Sequence, residues 1–363
     1  MRVLMTTDTV GGVWTYAVEL SHALAERGVE VALAAMGGRP SADQRAEAYA
    51  VPGLELHESA LRLPWMPEPW ADVERARHWL RELAARLRPD VVHHNEPVYA
   101  SLDLGAPAVA VGHSCVCSWW ESVRGGRAPA EWDRYRTAMA DGLAAAHAVV
   151  APTAAMRSAL ERHYGVHGAH VVPNARSPRH FRPGCKEPFV MAAGRLWDEA
   201  KNVAALAAVA PGLAWPVFVA GDARLARTPN FHHLGRLPSR VLAYWVVRAS
   251  IYAHPARYEP FGLGVLEAGL GGCALVLGDL PSLREVWDDA ALYVPPDDHA
   301  ALREALAGLA ADGPGREALG RRARERALAY APARMAARYL EIYAAAGAAS
   351  RPGRPGEAVA CAS

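Results

Sequence analysis

Glu259 and Glu267 are separated by seven residues in the run Glu-Pro-Phe-Gly-Leu-Gly-Val-Leu-Glu. Just ahead, Ala249-Ser-Ile-Tyr-Ala-His254 is apolar enough to form a short buried strand. Between the acids a helix can open, with Gly262 and Gly264 leaving its backbone amides accessible. A strand end, an acid, a glycine-lined helix start and a second acid suit an anionic ligand held by its diphosphate and its hydroxyls together. Upstream, Arg195 and Lys201 lie in Gly-Arg-Leu-Trp-Asp-Glu-Ala-Lys-Asn, after the strand-like run Phe189 to Ala193. Arginine offers phosphate oxygens a planar fork and lysine a mobile point charge. Ligands of open α/β sheets bind at such strand ends. The plainer alternative is a solvated loop with two ordinary cations, a capping carboxylate at Glu259 and a surface acid at Glu267.

Gly11 and Gly12 follow the first strand-like run, where a missing side chain lets backbone approach a phosphate or sugar. Their spacing is not G-x-G-x-x-G, so no dinucleotide fingerprint is present, and a simple strand-to-helix turn competes. His113 ends the apolar run Ala108 to Gly112 in a Gly-His-Ser turn. Seven of the eleven tryptophans fall before residue 177. Aromatic faces stack on sugars and other flat groups. Trp65 and Trp70, in Pro-Trp-Met-Pro-Glu-Pro-Trp, and Trp119 are the candidates to face a second ligand, whereas Trp79 and Trp132 are read as packing. Cys115 and Cys117 are read as small buried residues.

The elements that must position these residues come in two sets. Val3 to Thr6 reads as a strand, Val13 to Arg27 as a helix ended by Gly28, and Val29 to Ala35 as a second strand. Further strands are expected at Val91-Val92, Ala108 to Gly112 and Val149 to Ala151, with Thr153 capping a helix from Ala154. The pattern restarts at Phe189 and continues through Val217 to Ala220, Ser250 to His254, Ala274 to Leu277 and Leu292 to Val294. Alternating strands and helices imply α/β domains with parallel sheets. The boundaries expected are a first domain over 1–176, a linker over 177–188, a second domain over 189–332, a helix over 333–349 and a disordered tail over 350–363.

Composition agrees with a packed protein of two domains: 363 residues, 52% hydrophobic and 21% charged. A net charge of +1 argues against a dedicated nucleic-acid binder. Five cysteines without a C-x-x-C pair argue against zinc ribbons and favour a reducing cytoplasm. No signal peptide and no transmembrane segment are expected. The basic helix Glu74 to Arg88 carries Trp79, Leu80, Leu83 and Leu87 on one face and is diluted by Glu74 and Glu82. It reads as an ordinary amphipathic surface helix, with peripheral membrane contact the lesser reading.

The Glu259–Glu267 segment resembles the E-x7-E signature of retaining glycosyltransferases of family 4, which transfer sugar from a nucleotide-sugar. The resemblance implies the GT-B fold: two Rossmann-like domains facing across a cleft, with a C-terminal helix crossing back to the first. It implies that Arg195 and Lys201 grip the donor diphosphate, that Gly12 faces it across the cleft, and that His113 stands near the donor sugar. Glu259, in the loop, is then placed for the sugar, with Phe261, Gly262 and Leu263 donating backbone amides. Glu267, inside the helix, is placed for the ribose hydroxyls. The base is expected near Leu234 to Leu237, and UDP is the commonest nucleotide of that family. Protein cations take the place of a metal, no cofactor is required, and the acceptor lies on the first domain. The alternatives are a nucleotide-sugar 2-epimerase of the same fold and a non-catalytic nucleotide-sugar binder. Oligomeric state, sugar and acceptor stay open.

Overall fold

The computed structural model describes residues 1–223 and 226–349; the tail expected to be disordered lies outside the described residues. The first sheet has seven strands: β1 Arg2–Asp8, β2 Glu30–Met36, β3 Glu55–Glu58, β4 Val91–His94, β5 Ala108–Val111, β6 Ala148–Ala151 and β7 His170–Val171. The second has six: β8 Glu187–Ala193, β9 Val217–Ala220, β10 Phe231–His233, β11 Ala249–His254, β12 Ala274–Gly278 and β13 Leu292–Val294. The spatial orders are β3-β2-β1-β4-β5-β6-β7 and β10-β9-β8-β11-β12-β13. Every strand pairing is parallel, from Val3 beside Val31 and Val91 to Ile251 beside Val190 and Ala274. Strand order therefore reverses between β1 and β4 and again between β8 and β11. Each reversal leaves a crevice at the carboxyl ends of the strands.

Parallel strands covered on both faces read as continuous apolar runs, which is why most were legible. Along β1, Leu4 faces one apolar cluster while Val3 and Met5 face the other. The three strands that composition did not announce, β3, β7 and β10, all lie at sheet edges. Glu-Leu-His-Glu and Phe-His-His are polar because an edge strand is half wet. The second sheet's first strand starts at Glu187, inside the stretch expected to be linker.

The helix Trp70–Leu87 buries Val73, Ala76, Leu80, Leu83, Ala84 and Leu87 against the first sheet and ends at Arg88 with φ 46°. Its apolar stripe is thus already covered. Among the described residues no helix is long and apolar enough to cross a membrane. The last helix, Pro332–Ala349, follows the second sheet in sequence but packs on the first. Met335, Ala336, Tyr339, Ile342 and Tyr343 join Val3, Met5 and Val91 in one cluster. Each fully buried side chain of that size contributes about 1.5–3 kcal/mol.

Candidate active site

A cleft of about 640 Å³ opens where the two sets of strand ends face one another. On the first-sheet side, β1 ends at Asp8, whose Oδ1 accepts the amides of Val10 and Gly11 at 2.9 and 3.0 Å. That turn fixes the loop before helix Gly12–Ala25. A Cβ at Gly11 would lie 2.9 Å from Arg195 Nη1, and one at Gly12 would lie 3.4 Å from Leu263 Cδ1. A side chain at Gly11 would push on the Arg195 guanidinium, while one at Gly12 would only touch Leu263. No dinucleotide motif is involved.

The second-sheet side carries the charge. Arg195 follows β8, and its Nη2 donates to Asp198 Oδ2 at 3.1 Å. Lys201 ends a one-turn helix, Glu199–Lys201, and Asn202 after it adopts φ 52°. The Asn202 amide donates to the carbonyls of Pro255 and Pro296 at 2.9 and 2.7 Å, which pins the turn. Lys201 Nζ then reaches Glu259 Oε2 at 2.7 Å, and His254 Nε2 lies 3.0 Å from the same oxygen. Burial raises the Glu259 carboxyl, but Lys201 and His254 outweigh it, and the group sits well below the ordinary carboxylate range. His254 was not singled out in the sequence; its signal was its place at the end of β11, five residues before Glu259. Lys201 had a signal of its own, being one of only two lysines among 39 lysines and arginines. In a chain that uses arginine nearly everywhere, a lysine marks a place for a compact ammonium.

Gly262 adopts φ 91° and caps the helix Leu263–Leu270, whose first amides face the cleft. Glu267 lines the same cleft from one turn further along. Its Oε1 accepts Arg176 Nε at 2.7 Å, and the same guanidinium donates to Glu19 Oε2 at 2.8 Å. Burial pushes the Glu267 carboxyl up, against the pull of Arg176. Arg176 and Glu19 are further residues that the sequence reading passed over.

His113 lines the cleft from the end of β5, and its Nε2 lies 2.8 Å from Asn95 Oδ1. The Asn95 Nδ2 donates to Thr6 O at 2.8 Å, so its oxygen is the acceptor and His113 Nε2 carries the proton. His113 Nδ1 is then the acceptor nitrogen. Burial, with His93 adding repulsion, lowers its pKa to about 3, so the ring is neutral. His93 shares Asn95 Oδ1 at 3.0 Å, and its Nδ1 meets the Tyr343 hydroxyl of the last helix at 2.6 Å.

A second cavity of about 420 Å³ adjoins the first, and His113, Ser114, Arg195 and Tyr258 line both. Trp65 and Trp119 are in its wall, joined by Trp120 and Trp132. Trp132 is therefore a wall residue as well as packing. Trp70 is not placed there: it packs on the first sheet's core, with the Arg134 guanidinium 4.2 Å over its ring. Its position at the start of a helix turns it inward. Leu237 is also corrected: it packs into the second sheet's apolar cluster, and the cleft is reached by Arg236. Trp119 Nε1 donates to Asp198 Oδ1 at 3.0 Å, so one buried aspartate holds both this wall and Arg195. The walls are tied again where Ser118 Oγ meets Tyr258 OH at 2.7 Å, and where the Glu285 carboxylate accepts the amides of Ala154 and Ala155 at 2.7 and 3.0 Å. Cys115 and Cys117 are buried; Cys115 Sγ accepts the Ser118 amide at 3.3 Å.

Two family models match in tandem. Glycosyltransferase Family 4 covers residues 10–179, and Glycosyl transferases group 1 covers residues 187–312. The chain belongs to the family 4 type of glycosyltransferases. Sucrose-phosphate synthase from Thermosynechococcus elongatus superposes on 96% of the glycosyltransferase and 100% of its own chain, with TM-score 0.78 at 18% identity. HepE of Anabaena, solved in complex with UDP and glucose, covers 95% and 99% with TM-score 0.73 at 14% identity. WaaG, a glycosyltransferase involved in lipopolysaccharide biosynthesis, covers 94% and 99% with TM-score 0.71 at 16% identity. These likenesses establish the GT-B fold of the glycosyltransferase, two Rossmann-like halves about a cleft. Among curated proteins, O-antigen chain mannosyltransferase B of Escherichia coli is 39% identical over 70 residues, spanning 19% of this chain and only 18% of that one.

Proposed function

We propose that this glycosyltransferase moves a sugar, with retention, from a nucleotide-diphosphate sugar to an acceptor in the adjoining cavity, without a metal. UDP-sugar is the first donor to try, since the fold neighbour HepE was solved with UDP and glucose. The observation that carries the reading is the convergence of Arg195, Lys201 and the Gly262 helix start on one wall of the cleft, facing Gly11 and Gly12. As the bond from C1 to the diphosphate oxygen breaks, charge builds on that oxygen. Two cations and a helix start are the groups to stabilise it. The acceptor oxygen bonds to C1 on the same face, and its proton passes to the departing phosphate. No enzymic nucleophile is required. Lys201 exchanges its contact with Glu259 for a phosphate oxygen, which frees Glu259 for the sugar hydroxyls. Glu267 keeps Arg176 on one oxygen and offers the other to the ribose. His113 Nδ1 accepts from a sugar hydroxyl. Among the described residues no group of three or more His, Cys, Asp or Glu is gathered to hold a metal ion.

The test is donor turnover measured first alone and then with an acceptor library by mass spectrometry, with the anomeric configuration of the product read by NMR. A retained anomer formed in the presence of chelator is the expected result. An inverted product, or activity abolished by chelator and restored by magnesium or manganese, overturns the mechanism. Conversion of donor to an epimer without acceptor, or binding without any turnover, would select the epimerase or the passive binder.

A further inference from the structure

The smaller cavity has a chemistry that the transfer reaction does not require. Trp65, Trp119, Trp120, Trp132 and Tyr135 present aromatic surface, while Asp8 and Glu96 supply carboxylates. The other charges on its wall are already matched. Arg195 holds Asp198 at 3.1 Å, and Glu199 holds Arg124 at 2.6 Å. Among the described residues neither Asp8 nor Glu96 belongs to an ion pair. Asp8 accepts two backbone amides, and Arg195 acts on it only at longer range.

Burial pushes Glu96 up to about 8, and the Asp8 charge adds to the rise. Burial beside an aromatic wall and next to a second acid keeps Glu96 mostly protonated until a counter-charge arrives. A neutral hydroxylated ring would leave Glu96 protonated and bring Asp8 no counter-ion. An apolar group would also take water from them, and an anion would be repelled. A cation pairs with Asp8, favours the ionised form of Glu96 and gains from the aromatic faces.

We infer that the acceptor bound in this cavity is a ring bearing a protonated amine, an amino sugar or aminocyclitol, whose ammonium is held by Glu96 and Asp8 against the tryptophan wall. The inference rests on the glycosyltransferase reading above, because it names the class of its acceptor. A hydroxyl on the same ring, toward His113 and Arg195, is the one presented to the donor cleft. Cation binding favours ionised Glu96, so the complex forms with release of a proton near neutral pH.

The experiment is calorimetry of the full chain saturated with UDP at pH 7. The probes are glucosamine and 2-deoxystreptamine, against glucose and N-acetylglucosamine. The amines are expected to bind at least about ten-fold tighter than the neutral sugars, with a heat that varies with the ionisation enthalpy of the buffer. Glu96→Gln should bring the preference to about three-fold or less while leaving UDP affinity unchanged. Trp120→Leu, on a partly exposed ring, should weaken the amines more than glucose. Should Glu96→Gln fail to fold, the wild-type preference and the Trp120 variant decide alone. Equal affinity for amine and neutral probes, tighter binding of the N-acetylated sugar, or a preference untouched by Glu96→Gln overturns the inference. Absence of transfer from every nucleotide-sugar would instead remove the glycosyltransfer reading, and the amine preference, read by direct binding, would stand apart from it.

Discussion

The two cavities share a border and differ in how their charges are matched. On the side proposed for the donor, three of the four acids on the wall have a basic neighbour: Asp198 with Arg195, Glu259 with Lys201 and His254, Glu267 with Arg176. On the side proposed for the acceptor, Asp8 and Glu96 share the wall with aromatic rings instead. Paired charges hold side chains in place before a ligand arrives and yield them when it does. Acids without an ion-pair partner ionise fully only when the ligand brings one. The same strand order in both sheets therefore frames two recognition strategies, and the strategies come from the loops.

The strongest way to break this contrast is to remove a donor-side cation. Arg195→Ala and Lys201→Ala should each lose about 2–4 kcal/mol of transition-state stabilisation, seen in turnover as well as donor affinity. Unchanged kinetics in both variants would take this loop out of the site. The next test separates the two acids. Glu267→Ala should weaken bare nucleotide diphosphate and full donor alike, by about 1.5–3 kcal/mol. Glu259→Ala should reduce transfer and leave nucleotide diphosphate affinity nearly unchanged. Calorimetry with both ligands reads the pattern, and equal weakening of bare nucleotide by both variants reverses the assignment.

The acceptor side is tested through stability. Glu96 has an ordinary value of 4.5 and is raised to about 8, so between those values the folded protein binds more protons than the unfolded one. Stability from this group is therefore full below about 4.5 and falls as pH rises toward 8. Glu259 has the opposite sign: lowered in the fold, it contributes above its ordinary value and loses that contribution only in stronger acid. Glu96→Gln should be more stable than the wild type at pH 8.5 by about 1–3 kcal/mol, allowing for water reaching the pocket. The two should melt alike at pH 4. Urea melts at both pH values check it, and a constant difference would mean that Glu96 is already compensated. The smallest effect is expected at Tyr343→Phe, which removes the hydroxyl at His93 Nδ1. A loss of about 0.5–1.5 kcal/mol in stability should come with a modest fall in transfer, because His93 and His113 share Asn95. Lost stability with unaltered kinetics would cut the last helix from the active site.

The sequence carried the donor side far better than the acceptor side, for a physical reason. Glu259, Glu267, Arg195 and Lys201 lie within two short segments, and local spacing is what a single chain displays. Their partners do not: Arg176 reaches Glu267 across 91 positions and Glu19 across 157, and Asn95 reaches His113 across 18. Trp70 looked like Trp65, five residues away, yet a helix start turned one inward while the loop left the other on the cavity wall. Leu237 and Arg236 differ likewise by one position along a turn. The polar edge strands β3 and β10 escaped because they lack the apolar run that announced their buried neighbours.

The last helix has a consequence for how the protein is made. Its Met335, Tyr339 and Tyr343 fill the apolar cluster beneath β1 and β4. On the ribosome, β1 through β7 emerge first, while the segment that seals them follows only after the whole second sheet. At about 5–20 residues per second, the first half waits on the order of ten seconds or more with one face open. During that interval it is the species most exposed to aggregation and to chaperone capture. Completion of the second half is thus also the step that closes the first.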